Sequence, residues 1–390
     1  MINGMIQRKL PNVALPSKLA LAVAAMLTTA QGQTFKVLYA FGGVDGSNAQ
    51  GKLLLYKGSL FGTTYAGGWA SDGTVFQLHL STNRETLLYS FSNVPSDGVR
   101  PEAGLIVDSA GNLYGATPIG GGFDLGTVFQ ISSSGGFTLL HSFSGPDGDT
   151  PLGALVRDSQ GNLYGTTSAG GENKFGTVLN NGTVYKLDTS GNLSTLHYFR
   201  GQPDGEFPQA GLVLEAGYLF GTTQSGGASN RGTVFATNAS TGKTTVLYSF
   251  TGAADGGGPH SALIGDGNGN LYGTTPGGGS GYGVVFKLNI STLQETVLYT
   301  FSSAFDGSVS GDLVRDPAGN LYGTAEFGGT GAGTVFELDT TGTLITLHSF
   351  DGKDGEGPSG GLVFDSKGNL YGSTQFNGRL DNGTIFEITP

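Results

Sequence analysis

The 390-residue chain contains no cysteine, so no disulfide can hold it together and no thiolate can bind a metal. Charge is scarce: 13% of residues are charged, and the 19 basic residues are outnumbered by 30 acidic ones, for a net charge of −11. That sign opposes a phosphate-binding surface, so nucleic acid is not an expected partner. The sequence has no His-x-His and no HExxH, which leaves transition metals without their usual ligands. Only 14 prolines are present, too few for a collagen-like or proline-rich chain. Beyond residue 30 no apolar run is long enough to span a bilayer, so the mature chain is expected to have no membrane span.

What is abundant is glycine, at 71 positions, with 37% hydrophobic and 10% aromatic residues spread along the whole length. This is the composition of a turn-rich all-β chain with enough apolar material for a large core. The first thirty residues differ. They carry Arg8, Lys9 and Lys18 and no acid, then an apolar run from Leu19 to Ala30. The segment reads as a secretory signal peptide, 1–30, cleaved before Gln31. Its removal takes the net charge from −11 to −14, and residues 31–390 are expected to form one secreted or periplasmic domain.

A repeat dominates that domain. The phrase Asn162-Leu-Tyr-Gly-Thr-Thr167 recurs with small changes seven times, around Leu60, Leu113, Leu163, Leu219, Leu271, Leu321 and Leu370, at steps of 49 to 56 residues. Each step has room for four short strands, and Gly, Asp, Asn and Ser punctuate their junctions. In the second copy these are Gly104–Asp108, Asn112–Thr117, Gly126–Ile131 and Phe137–Phe143. The last copy stops after its third strand, Gly383–Ile388, whereas Phe35–Phe41 carries the fourth-strand pattern at the other end of the chain. The spacing therefore predicts a seven-bladed β-propeller of four antiparallel strands per blade, with the N-terminal strand completing the last blade and closing the ring.

Residues that recur in every blade are expected to build it. The fourth-strand Phe41, Phe91, Phe143, Phe199, Phe250, Phe301 and Phe350, and the third-strand aromatics from Phe76 to Phe386, read as packing between sheets. Asp108, Asp158, Asp266, Asp316 and Asp365 each precede a Gly-Asn pair and read as hairpin-turn residues. His141, His197 and His348 share a fourth-strand column with Tyr39, Tyr89, Tyr248 and Tyr299. Gly355–Gly360 satisfies GxGxxG and Gly357–Gly361 satisfies GxSxG, but neither has the strand-then-helix context that its chemistry needs.

Candidate functional residues fall in the loops from strand four to the next strand one and from strand two to strand three, which share one face. The first loop set carries Asp45, Asp97, Asp147, Asp204, Asp255, Asp306 and Asp354, each before a glycine. Seven acids around one mouth would suit calcium or sugar hydroxyls; the plainer reading is a repeated Asp-Gly turn. The second set varies over its Gly-Gly scaffold and offers Trp69, Phe123, Phe175, Arg231, Tyr282, Phe327, Phe376 and Arg379. Exposed aromatics among small and acidic residues suit stacking on sugar rings. His260, just ahead of a first strand, lies near the axial end of its blade.

The NLYGTT phrase, the GG-then-GTVF spacing and the LxxF strand followed by Asp-Gly together resemble the bacterial GloVer tandem repeat, the Gloeobacter and Verrucomicrobia repeat family, over residues 35 to 390. The resemblance implies an exported bacterial propeller-like protein and supplies neither an activity nor catalytic residues. Members often carry a C-terminal surface anchor, whereas this chain ends at Thr389-Pro390 directly after a strand. The expected function is non-enzymatic binding, by a monomer, of extracellular polysaccharide or a cell-surface protein. Two alternatives remain: a polysaccharide lyase or hydrolase acting on the same face, and a structural adhesion scaffold. At −14, neutral glycans rank ahead of polyanionic ones.

Overall fold

Turn residues at every junction cut the chain into strands of two to seven residues. The structure, a computed structural model, describes residues 32–389 except 93, 95, 173–175, 178, 304, 305 and 310. The proposed signal peptide and Phe175 lie outside the described residues. Among the described residues the strands assemble into seven four-stranded antiparallel sheets, the blades of a propeller. Blade 1 comprises Leu54–Tyr56, Ser59–Thr64, Thr74–His79 and Arg84–Ser90 in that order from the axis outward. First strands of neighbouring blades touch, as Val156–Arg157 and Val213–Glu215 do, and so surround the axis. They are shorter than expected. In blade 2 only Ile106–Val107 pairs regularly, because the preceding segment is pressed against the axial loop of blade 1: a Cβ on Gly104 would lie 2.9 Å from the Lys52 carbonyl oxygen.

The ring closes as the sequence predicts. Thr34–Ala40 pairs antiparallel with Thr384–Thr389, from Thr34 opposite Thr389 to Ala40 opposite Thr384, and completes the seventh sheet. Closure leaves the stack without an open end, which stabilises a chain that has no disulfide.

Every letter of the repeated phrase has a physical task. The Asn112 amide donates to Asp108 Oδ2 at 2.8 Å, and its carbonyl accepts from Ser133 N at 3.0 Å, tying two hairpins together. Leu113 is buried in the seam between blades 1 and 2. The Tyr114 hydroxyl also donates to Asp108 Oδ2, at 3.0 Å. Gly115 is required because the Phe129 ring covers it: an added Cβ would sit 2.5 Å from Cζ. The fifth position stitches blades together near the axis, Thr63 Oγ1 donating to the Ala103 carbonyl of the next blade at 3.0 Å. The last threonine pairs across the sheet, Thr117 Oγ1 with Thr127 Oγ1 at 2.7 Å. Asp108 is thus a turn residue, as expected. Burial alone would raise its carboxyl, but the bonds from Asn112, Tyr114 and Ala110 outweigh it and hold the group below the ordinary carboxylate range.

The core is seven seams rather than one centre. In each, the fourth-strand Phe of one blade meets the third-strand aromatic of the next edge-to-face, with centroids between 5.1 Å for Phe41–Phe76 and 5.5 Å for Phe301–Phe336. A bulge, absent from the sequence-based expectation, recurs in every fourth strand. In blade 1 Val75 faces Tyr89 while Phe76 faces Leu87, so Leu88 is the extra residue and packs into the seam. The bulge explains why a leucine directly precedes each Tyr or His in that strand, beside the residue that pairs with the third-strand aromatic.

One seam departs from the rest. Tyr185 stands where the other blades have Phe, is fully buried, and its hydroxyl has no partner among the described residues. An unpaired buried hydroxyl costs about 1–3 kcal/mol. Tyr185→Phe is therefore expected to leave stability unchanged or raise it by about 1 kcal/mol in denaturant unfolding; a loss of that size would mean that the hydroxyl has a partner.

Candidate functional site

The loops expected to share a face do so. Gly98–Val99, from the strand-four to strand-one loop, pairs with Ile119–Gly120 from the strand-two to strand-three loop, and single bridges such as Ser47–Ala66 repeat the contact in other blades.

The Asp-Gly turns on this face do not form a shared acidic ring. Each carboxylate is bound locally, six of the seven by the fourth-strand Tyr or His, most of them also by turn backbone, and Asp306 by Ser302. Tyr39 donates to Asp45, whose other oxygen accepts from Gly42 N at 2.7 Å. Tyr89 reaches Asp97 at 3.0 Å, His141 reaches Asp147 at 2.7 Å, and His197 reaches Asp204 at 3.0 Å. Tyr248 reaches Asp255 at 3.0 Å and His348 reaches Asp354 at 2.7 Å, while Asp306 accepts from Ser302 N at 3.0 Å. The glycine that follows is equally constrained. Gly46 has φ of +136°, and a Cβ there would lie 2.6 Å from Thr64 of the cross-strand threonine pair. Among the described residues no three of His, Cys, Asp and Glu gather as a metal site. The fourth-strand histidines are thereby explained as turn partners, and burial holds the His348 ring below its ordinary value despite Asp354.

The second loop set does present aromatic surface. Trp69 is 86% exposed, Phe123 65%, Phe327 59% and Phe376 45%. They belong to blades 1, 2, 6 and 7, which are consecutive around the closed ring, so the exposed rings form one arc. Val44 and Leu380 extend it, both exposed. Arg231 and Arg379 are exposed on the same loop set, in blades 4 and 7. Tyr282 does not join the arc; it is half-buried and packs into the seam between blades 5 and 6. The GxGxxG and GxSxG matches lie in the loop ahead of Val363–Phe364, in coil with no helix following.

Inside the arc, at the axis, lies a cavity of about 300 Å³ to which all seven blades contribute. His260 lines it, as its position ahead of a first strand suggested. Glu326, of the variable strand-two to strand-three loops, lines it as well, whereas Gln50, Lys52, Glu102, Gln209 and Asp312 were not singled out from sequence. Asp312 Oδ1 accepts from Ala262 N of blade 5 at 2.7 Å, and Gln209 Nε2 donates to Gln224 Oε1 at 3.3 Å. Burial raises the carboxyls of Glu102 and Glu326, with Arg100 partly offsetting the effect at Glu102. A signal was available. The residue three places before each first-strand Leu is Gln50, Glu102, Leu152, Gln209, His260 and Ser359 in the described blades, a column that varies where the repeat is otherwise constant.

A further group came only from the structure. In most seams an apolar residue of the next blade covers the fourth-strand Tyr or His; Phe137 stacks on Tyr89 at 4.3 Å and Phe35 on His348 at 3.5 Å. Glu85 and Glu295 occupy the equivalent places opposite Tyr39 and Tyr248. Burial, then the nearby Asp45 and Asp255, push both carboxyls up to about 7. A carboxyl raised on folding favours the protonated folded state, so its contribution is complete below the unfolded value of about 4.3 and is lost as pH rises through 7. The double variant Glu85→Gln, Glu295→Gln is expected to unfold at higher denaturant than the parent at pH 8, with the difference gone below about pH 4.5. An unchanged gap across that range would show that the two carboxyls do not titrate on folding.

A family model for the Gloeobacter/Verrucomicrobia repeat matches residues 24–181, 179–314 and 277–390. No curated protein is similar enough in sequence to match. Solved structures share the fold. The extracellular domain of a hybrid two-component system protein from B. thetaiotaomicron is 12% identical over 90% of this chain with a TM-score of 0.59, and the chain spans 39% of that protein. An oligogalacturonate lyase from Vibrio parahaemolyticus is 12% identical, with 91% of this chain and 93% of that one covered and a TM-score of 0.57. A Bacteroides uniformis protein described as a 6-phosphogluconolactonase is 17% identical, with 81% and 88% covered and a TM-score of 0.55. At these identities the likeness is one of fold.

Proposed function

The chain belongs to the Gloeobacter/Verrucomicrobia repeat family, and from that premise we propose that it is an exported binding propeller that holds neutral extracellular polysaccharide on the face bearing the loops from strand two to strand three. The arc of exposed aromatics from blade 6 through blade 2 carries this reading. Large rings left exposed to water are a binding surface in waiting, and flat aromatic faces suit the C–H faces of sugars. An acidic chain repels uronate-rich and sulfated glycans unless cations bridge the contact.

One observation favours a second reading. The axial cavity gathers Glu102, Asp312 and Glu326 with His260 and Lys52, residue types that perform acid–base chemistry on glycosidic bonds, and the fold is shared with a lyase acting on oligogalacturonate. Both readings are separated by incubating residues 31–390 with soluble and insoluble polysaccharides, with calcium or with chelator, and scoring retained protein and newly released sugar ends. Retention without release is the expected result, and release of ends would replace binding by catalysis. Trp69→Ala is expected to weaken retention about 2- to 10-fold, from loss of one stacking contact of about 0.5–1.5 kcal/mol. Undiminished retention would remove Trp69 from the binding surface.

A further inference from the structure

The axial cavity is where the sevenfold pattern breaks most sharply, and its size and walls narrow what it can hold. Its volume of about 300 Å³ stands at the low end of ligand pockets, which run from about 300 to 1,000 Å³. That is room for one small ring and not for a stretch of polymer. Its side walls are tight where neighbouring axial loops meet. A Cβ on Gly153 would lie 2.4 Å from the Ala210 carbonyl oxygen, one on Gly360 2.9 Å from that of Gln50, and one on Gly51 2.8 Å from that of Ala103, so these loops leave no lateral gap between them. Such a pocket admits the end of a chain and gives an internal stretch no sideways exit.

The lining chemistry selects the occupant. Gln50, Gln209 and Ser359 each both donate and accept, which matches hydroxyls that do the same. Leu152 adds the one apolar wall of the variable column, suited to a C–H face. Glu102, Asp312 and Glu326 outnumber Lys52, so a ring bearing a carboxylate, sulfate or phosphate would meet net repulsion. We infer that the axial pocket binds a single terminal sugar unit that carries no anionic group, the end of the glycan whose following units lie across the aromatic arc. The inference rests on the glycan-binding reading above and specifies which part of the glycan is recognised.

The test uses the full mature chain and the neutral polysaccharide that retains it, with glucose, galactose, mannose and xylose as competitors, and glucosamine and galacturonate as charged controls. One neutral sugar is expected to bind with 1:1 stoichiometry in calorimetry and to displace the protein from the polysaccharide. Gln50→Ala and Gln209→Ala should each weaken that sugar about tenfold or more while keeping the parental unfolding midpoint. Trp69→Ala, by contrast, should weaken retention on the polymer and leave affinity for the free sugar unchanged. Retention that no monosaccharide disturbs, with the glutamine variants silent, would overturn the end-binding pocket and leave the glycan reading intact. Displacement by galacturonate alone would overturn the exclusion of anionic sugars. Retention on no polysaccharide at all would defeat the glycan reading, and the pocket assignment with it.

Discussion

The edge-to-face contact between the fourth-strand Phe of one blade and the third-strand aromatic of the next recurs in all seven seams, as in Phe91–Phe129 at 5.3 Å and Phe350–Phe386 at 5.3 Å. Much else follows from it. The ring on the third strand lies flat over the sheet, so the second strand must offer a glycine beneath it. The fourth strand must bulge to send both a leucine and a phenylalanine into the same seam. Because each pair joins two blades, no blade buries its apolar face alone, and stability resides in the completed ring. Truncating one such Phe to Ala would cost about 3–5 kcal/mol, more than any surface contact on the molecule contributes.

The same logic separates the repeated polar residues from the candidate site. An aspartate repeated seven times at one mouth has the look of a ligand ring, yet six are held by a tyrosine or histidine of the adjoining strand and the seventh, Asp306, by Ser302. The repeated histidines have the same explanation. Once these residues are assigned to turns, the face retains two features that repetition does not require: exposed rings on four consecutive blades, and a polar axial cavity whose wall differs from blade to blade.

The architecture was legible in sequence to a high degree. A fixed phrase at steps of 49 to 56 residues gave the blade number, and the displaced fourth-strand pattern at Phe35–Phe41 gave the closure. Single-residue burial followed from the same alignment of repeats. The bulge at Leu88 was not legible, since an extra apolar residue in an apolar strand leaves no mark on composition. The axial wall was missed for a different reason. Gln50, Lys52, Glu102 and Asp312 sit in loops that look like any other polar connection until the ring brings them to a common axis, and only His260 was distinctive enough by residue type to be noticed. Tyr282 shows the opposite error: an aromatic in a variable loop reads as exposed, but it packs half-buried into the neighbouring seam.

The closing ladder fixes how the molecule is presented. Thr34 and Thr389 are opposite each other at the end of the seventh sheet away from the aromatic arc, since third strands run from the site face and fourth strands return to it. Any tether joined before Thr34 or after Thr389 therefore leaves from the far side, side by side with the other terminus. Fastened there to a surface or to another module, the propeller would stand like a dish on a stem, with the axial opening directed outward and unobstructed by its own attachment.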